Sequence, residues 1–189
     1  MRVILLGLGL MLSPATSMAT EPTNVVTYEP FQGNALHAGF KVSSKVQGYC
    51  WDSEASLRPD AWRCMAGNSL WDPCFSSAIQ GSPAVACPGS PFSKTVILMH
   101  LTKPLPKRTA VRSDLMPWGL QLADGARCQI VTGATGLKAG MPVRYGCNDW
   151  RGCVLGDNID RSAQPWRVFY MANCNGSRYV KAAVREAVL

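Results

Sequence analysis

The chain has 189 residues, with 19 Lys and Arg against 12 Asp and Glu for a formal charge of +7, and eight cysteines beside only two histidines. That length is enough for one domain with a real hydrophobic core. The basic residues are scattered, with no run denser than Lys103 to Arg112, which excludes nucleic acid as the expected partner. Scarce histidine and the lack of any C-x-x-C pair argue against a metal centre or a dithiol redox site, so no metal and no cofactor are expected.

The first element in chain order is a secretory leader over Met1 to Ala19. Arg2 is its positive end, Val3 to Leu12 its apolar run and Ser17-Met18-Ala19 its small-x-small cleavage site. Removing Arg2 with it leaves 18 basic against 12 acidic residues, a charge of +6. The apolar run is too short for a bilayer, which needs about 20 residues, and no later stretch comes closer. The expectation is a periplasmic or secreted protein without a transmembrane segment in its mature form.

Residues 20–39 contain Pro22, Pro30 and Gly33 and read as an N-terminal arm or an early edge strand. Residues 40–189 are expected to form a single disulfide-stapled, all-β or β-rich domain. Its first part, from Phe40 to Phe75, is crowded with Cys, Trp, Asp and Arg and reads as irregular. A short helical turn is the best reading of Asp60 to Met65, where Pro59 and Asp60 could open it, and a frayed helix that of Lys181 to Leu189. Gln80 to Ser93 is a Pro, Gly and Ser loop held by Cys87.

The second half reads as an antiparallel meander. Thr95 to Leu101 is a β-branched apolar run, and Trp118 to Leu122 and Arg127 to Val131 flank the hairpin signal Asp124-Gly125. Pro142 to Tyr145 and Cys153 to Leu155 flank the Asn148-Asp149 turn. Trp166 to Cys174 alternates as a strand up to Asn175-Gly176, and Tyr179 to Val184 answers it. Six to eight short strands are expected in all, with no internal repeat of usable period.

Eight cysteines allow about 105 connectivities. Sequential pairing is the simplest: Cys50 with Cys64, Cys74 with Cys87, Cys128 with Cys147, and Cys153 with Cys174. Loops of this size stabilise by roughly 3 kcal/mol each in chain-entropy terms.

The expected functional surface is Gly48 to Phe75. Trp51, Trp62 and Trp71 are planar groups able to stack on sugar rings or anchor a protein, and Asp52, Arg58, Arg63 and Asp72 can supply directional hydrogen bonds. The competing reading is that the tryptophans fill a core and the charges pair to satisfy loops. Catalytic sets are incomplete: there is no G-x-S-x-G elbow, His100 sits in an apolar run, and an even set of cysteines leaves no free thiol. Asp52, Glu54, Asp60 and Asp72 could form a glycosidase-like carboxylate pair, but sequence does not give their separation. The Gly-rich Thr132 to Gly136 lacks the Lys-Ser/Thr ending of a phosphate-cradling loop.

GYCW at Gly48, DAWRC at Asp60, GNSLWDPCF at Gly67, LTKPLP at Leu101, and PWGLQLADGARC followed by TGATG resemble a family of secreted, cysteine-containing bacterial proteins of unassigned function. The resemblance spans Gly48 to Gly156. It implies six recurring cysteines, with Cys153 and Cys174 an additional pair, and it brings no catalytic residues. The reading that follows is a non-catalytic extracytoplasmic module binding a protein or an envelope polymer, one of anionic character being favoured by the positive charge. The alternatives are a cell-wall or polysaccharide-active enzyme using the 52–72 carboxylates, and an inhibitor or immunity protein against a periplasmic hydrolase.

Overall fold

In the computed structural model, which describes residues 21–77, 81, 83–107 and 115–189, every helix-or-strand element is a strand. The expected leader at Met1 to Ala19 lies outside the described residues. The β class follows from the chain's β-branched, alternating segments. In β12 (Met141–Cys147), for example, Val143, Tyr145 and Cys147 point inward while their neighbours are half-exposed, the period of two that a strand requires.

The strands close into two barrels. The first contains β4 (Lys41–Asp52), β5 (Ala61–Ala66), β6 (Ser69–Ser76), β7 (Ala84–Pro88) and β8 (Thr95–Leu101), and it closes where β8 runs parallel to β4. The second contains β9 (Gly119–Leu122), β10 (Arg127–Ile130), β12, β13 (Gly152–Asp160), β14 (Arg167–Met171) and β15 (Val180–Val188). It closes by antiparallel pairing of β15 with β9, and the short β11 (Leu137–Lys138) hangs on β12. Closure removes the free edges that would otherwise invite intermolecular pairing.

Several expectations are refined here. The meander is two closed barrels, and the segment from Phe40 to Phe75 is regular, because β4 alone runs for 12 residues. Both helix candidates are strands: Asp60 to Met65 lies largely in β5 and Lys181 to Leu189 in β15. Propensity favours helix in the second, with its Ala, Arg and Glu, but pairing with β14 on one side and β9 on the other decides.

The segment 20–39 is stitched into the fold. Here β1 (Asn24–Val26) runs parallel to β15, and β2 (Phe31–Gln32) pairs with β3 (Ala35–Leu36). Tyr28, between them, has ring centroids of Phe75 at 5.2 Å and Trp118 at 5.3 Å. Its hydroxyl donates to Ser93 O at 2.7 Å. One core therefore runs from Phe40, Phe75 and Val96 of the first barrel, through Tyr28 and Trp118, to Leu120, Tyr145 and Val184 of the second. At this junction Pro91 lies directly on Gly119, where a Cβ would meet the proline ring at 2.3 Å.

All four disulfides join the sequential pairs. Cys50 faces Cys64 across β4 and β5, and Cys128 faces Cys147 across β10 and β12. The four cysteines of the first barrel lie in its interior with Trp62, Val85 and Met99. Cys153–Cys174 instead belongs to a small satellite cluster with Val143, Leu155 and Met171. Four such bonds fit folding in an oxidising, extracytoplasmic setting. Among the described residues no helix is long and apolar enough to cross a membrane.

Candidate ligand-binding groove

The arginines of the 52–72 segment are engaged in ion pairs within that segment. Arg58 is buried at 7% exposure and binds Asp60 through Nε at 2.9 Å and Nη2 at 2.5 Å. Its Nη1 donates to Tyr28 O at 2.8 Å and Leu189 O at 2.9 Å, and the guanidinium lies over the Phe75 ring at 4.9 Å. Arg58 thus ties the 53–60 loop to the N- and C-terminal strands. Arg63 bridges two carboxylates, donating to Asp72 Oδ2 at 2.8 Å and to both oxygens of Glu54 at 2.6 and 2.9 Å. Asp72, whose side chain is 3% exposed, also accepts from the Ser53 hydroxyl and the Glu54 amide. These donors satisfy the oxygens of a carboxylate that is shielded from water.

The tryptophans divide. Trp62 is core, its Nε1 donating to Ser76 Oγ at 3.0 Å, so it cannot present a stacking face. Trp71 is half-buried against the disulfide cluster. Trp51 is half-exposed and lies 5.8 Å from Tyr49, which Lys103 covers at 5.1 Å. Asp52 is exposed at the end of β4, opposite Trp62. The structure therefore does not bring the seven expected binding residues to one surface. Arg58, Arg63 and Asp72 are consumed in ion pairs, and Trp62 is enclosed.

Cys64, Cys74 and Cys87 have sulfurs within 4.8 Å of one another, the one grouping of metal-ligand type found among the described residues. Each is bonded in a disulfide and so lacks the thiolate a metal would need.

A more open site lies where the barrels meet. A cleft of about 500 Å³ is bounded on one side by the β7–β8 loop at Gly89, Ser90 and Phe92, and on the other by β10 and the turn Asn148 to Trp150. The turn is unusual: Asn148, Asp149 and Trp150 have φ of 48°, 56° and 70°. Asn and Asp tolerate left-handed backbone, but a tryptophan there is strained by about 1 kcal/mol or more.

Tertiary structure enforces this conformation. The Asn148 amide donates to Arg127 O at 3.0 Å, while Asn148 Oδ1 accepts from the Arg127 amide at 3.1 Å. The Arg151 amide donates to Asn148 O at 3.3 Å, and the Cys174 amide to Arg151 O at 2.7 Å. Disulfides anchor both flanks, through Cys147 and Cys153. The Trp150 ring lies against Gly146, where a Cβ would sit 3.0 to 3.2 Å from three ring carbons. The result is an indole that is 62% exposed and lies with its ring against Gly146.

Beside it Arg127 is exposed and its guanidinium lies over Phe92 at 5.3 Å. A second cleft, of about 420 Å³, shares Phe92 and Arg127 with the first and continues to Tyr28, Lys94 and Glu186. Lys94 Nζ is 4.5 Å from the Phe40 ring and 5.6 Å from that of Tyr28. Burial pushes the Tyr28 phenol well above its ordinary range, so at neutral pH it serves this wall as a neutral ring and hydrogen-bond donor. None of the carboxylates at 52, 54, 60 and 72 lines either cleft.

Sequence reasoning recognised the Asn148-Asp149 turn but not Trp150, since nothing in residue type marks a left-handed tryptophan. The only available signal was a Trp enclosed between Cys147 and Cys153. No family model, curated protein or solved structure matches this chain.

Proposed function

We propose that the protein is a non-catalytic recognition module of the periplasm or of the secreted fraction, and that its binding surface is the groove at the barrel junction. The carrying observation is Trp150: an exposed indole on strained backbone, clamped by two disulfide-anchored flanks and set against a bare glycine. Backbone strain retained at an exposed side chain is characteristic of functional sites, where the surrounding structure over-determines it. The resemblance to secreted cysteine-containing bacterial proteins and the leader at Met1 to Ala19 support the location, and an envelope component is the natural ligand there.

The carboxylates that an enzyme would use in the 52–72 segment are largely engaged. Asp60 pairs with Arg58, and Glu54 with Asp72 shares Arg63. This favours binding over catalysis at that segment. The test is retention of solubilised envelope material on the immobilised oxidised protein. Wild type is expected to retain a component that Trp150→Gly and Arg127→Gln each release while remaining cooperatively folded. Equal retention by both variants would place recognition elsewhere.

A further inference from the structure

Taking the groove as the binding site, we propose that its ligand is an acidic glycan, a chain of sugar rings carrying carboxylates, with one ring stacked on Trp150 and an adjacent carboxylate held by Arg127. The lining at the Trp150 end carries this. Trp150 offers a flat face rather than a pocket, the shape that the C–H surface of a pyranose covers. Around it stand Ser90 and Gln129, which can both donate to and accept from hydroxyls, and Asp149, whose carboxylate accepts. The aliphatic lining is withheld, since Ile130 is only 7% exposed. A protein partner's apolar anchor therefore finds no aliphatic socket, whereas a hydroxylated ring finds both a platform and partners.

The charge comes from Arg127. Among the described residues it has no salt-bridge partner, its guanidinium lies over Phe92 at 5.3 Å, and a guanidinium can form paired hydrogen bonds to a carboxylate. Lys94 supplies a second cation along the adjoining cleft. Each end also has one acid. Glu186 accepts from Asn24 Nδ2 at 3.3 Å, and Asp149 lies in the Trp150 turn. These acids can accept hydrogen bonds from glycan hydroxyls. Two clefts sharing one wall accommodate a chain longer than a single ring.

The experiment is titration calorimetry of the oxidised protein at about 0.15 M salt, where screening suppresses diffuse charge attraction. The probes are polygalacturonate and alginate oligomers, fully methyl-esterified polygalacturonate, and poly-glutamate. Binding of at least one uronate oligomer is expected, weakened at least tenfold by esterification, with poly-glutamate at least tenfold weaker still. Trp150→Gly and Arg127→Gln should each lower uronate affinity about tenfold. Equal binding of the ester would remove the carboxylate from the proposal, and equal binding of poly-glutamate would remove the ring; either overturns it. If no uronate binds while envelope retention still depends on Trp150, the groove stands and the acidic-glycan assignment falls. If envelope retention ignores Trp150, the groove falls with it.

Discussion

The two barrels use similar residues to opposite ends. In the first, Trp62, Arg58, Arg63 and Asp72 are turned inward or paired, and both disulfides lie inside. In the second, the turn between β12 and β13 lifts Trp150 into solvent, and Arg127 stands without a carboxylate partner among the described residues. In the first barrel the dense aromatic and charged residues serve packing and ion pairing. Function is better sought where one such residue is held exposed against its own conformational preference.

The comparison breaks most sharply at the two arginines. Arg58→Ala removes a buried guanidinium and strands Asp60 together with Tyr28 O and Leu189 O. The expected loss is about 4 kcal/mol in denaturant unfolding. Arg127→Gln, at an exposed position, should stay within about 0.5 kcal/mol of wild type. Losses of equal size would mean that the second barrel depends on its arginine as the first does.

Next in size is the junction. Gly119→Ala places a Cβ 2.3 Å from Pro91 and should cost about 2 kcal/mol by forcing the loop off β9. Because Phe92 follows Pro91, this variant should also weaken ligand retention, whereas a change confined to one barrel's interior should not. Thermal unfolding and retention measured on the same preparation check both halves of that expectation.

Smaller still is the alkaline limit. Burial raises the phenol of Tyr145, which donates to Pro117 O at 2.7 Å, and that of Tyr28. A folded-state pKa above the unfolded value contributes stability that is complete below the ordinary tyrosine value of 10.0 and is lost as pH rises beyond it. Unfolding should therefore set in above about pH 10. Tyr145→Phe should lose about 1 kcal/mol at neutral pH and show a shallower alkaline decline, read from denaturation midpoints against pH.

The smallest effect on stability is expected at the site itself. Trp150→Gly relieves the left-handed strain while giving up the ring's contact with Gly146, so stability should change by less than about 1 kcal/mol.

Much of the fold was legible. The Asp124-Gly125 hairpin, the run Thr95 to Leu101 and the sequential disulfides are local features, set by turn residues and by cysteines facing each other on neighbouring strands. Barrel closure was not, because Lys41 to Gly48 and Thr95 to Leu101 pair in parallel across the whole first barrel and neither segment carries a mark of the other. The helix readings failed for a related reason, since Val184, Ala187 and Val188 are buried by strands distant in sequence. Of the site, the turn was visible and its tryptophan was not. The exposure of Trp150 depends on Gly146 and on hydrogen bonds to Arg127, contacts made only once β10, β12 and β13 have assembled.

The most direct measurement is envelope retention by two single-tryptophan variants, Trp150→Gly and Trp51→Ala, each confirmed to be fully oxidised and folded. Loss of retention in Trp150→Gly with full retention in Trp51→Ala is the outcome this account predicts. Loss in Trp51→Ala with full retention in Trp150→Gly would contradict it and return recognition to the first barrel.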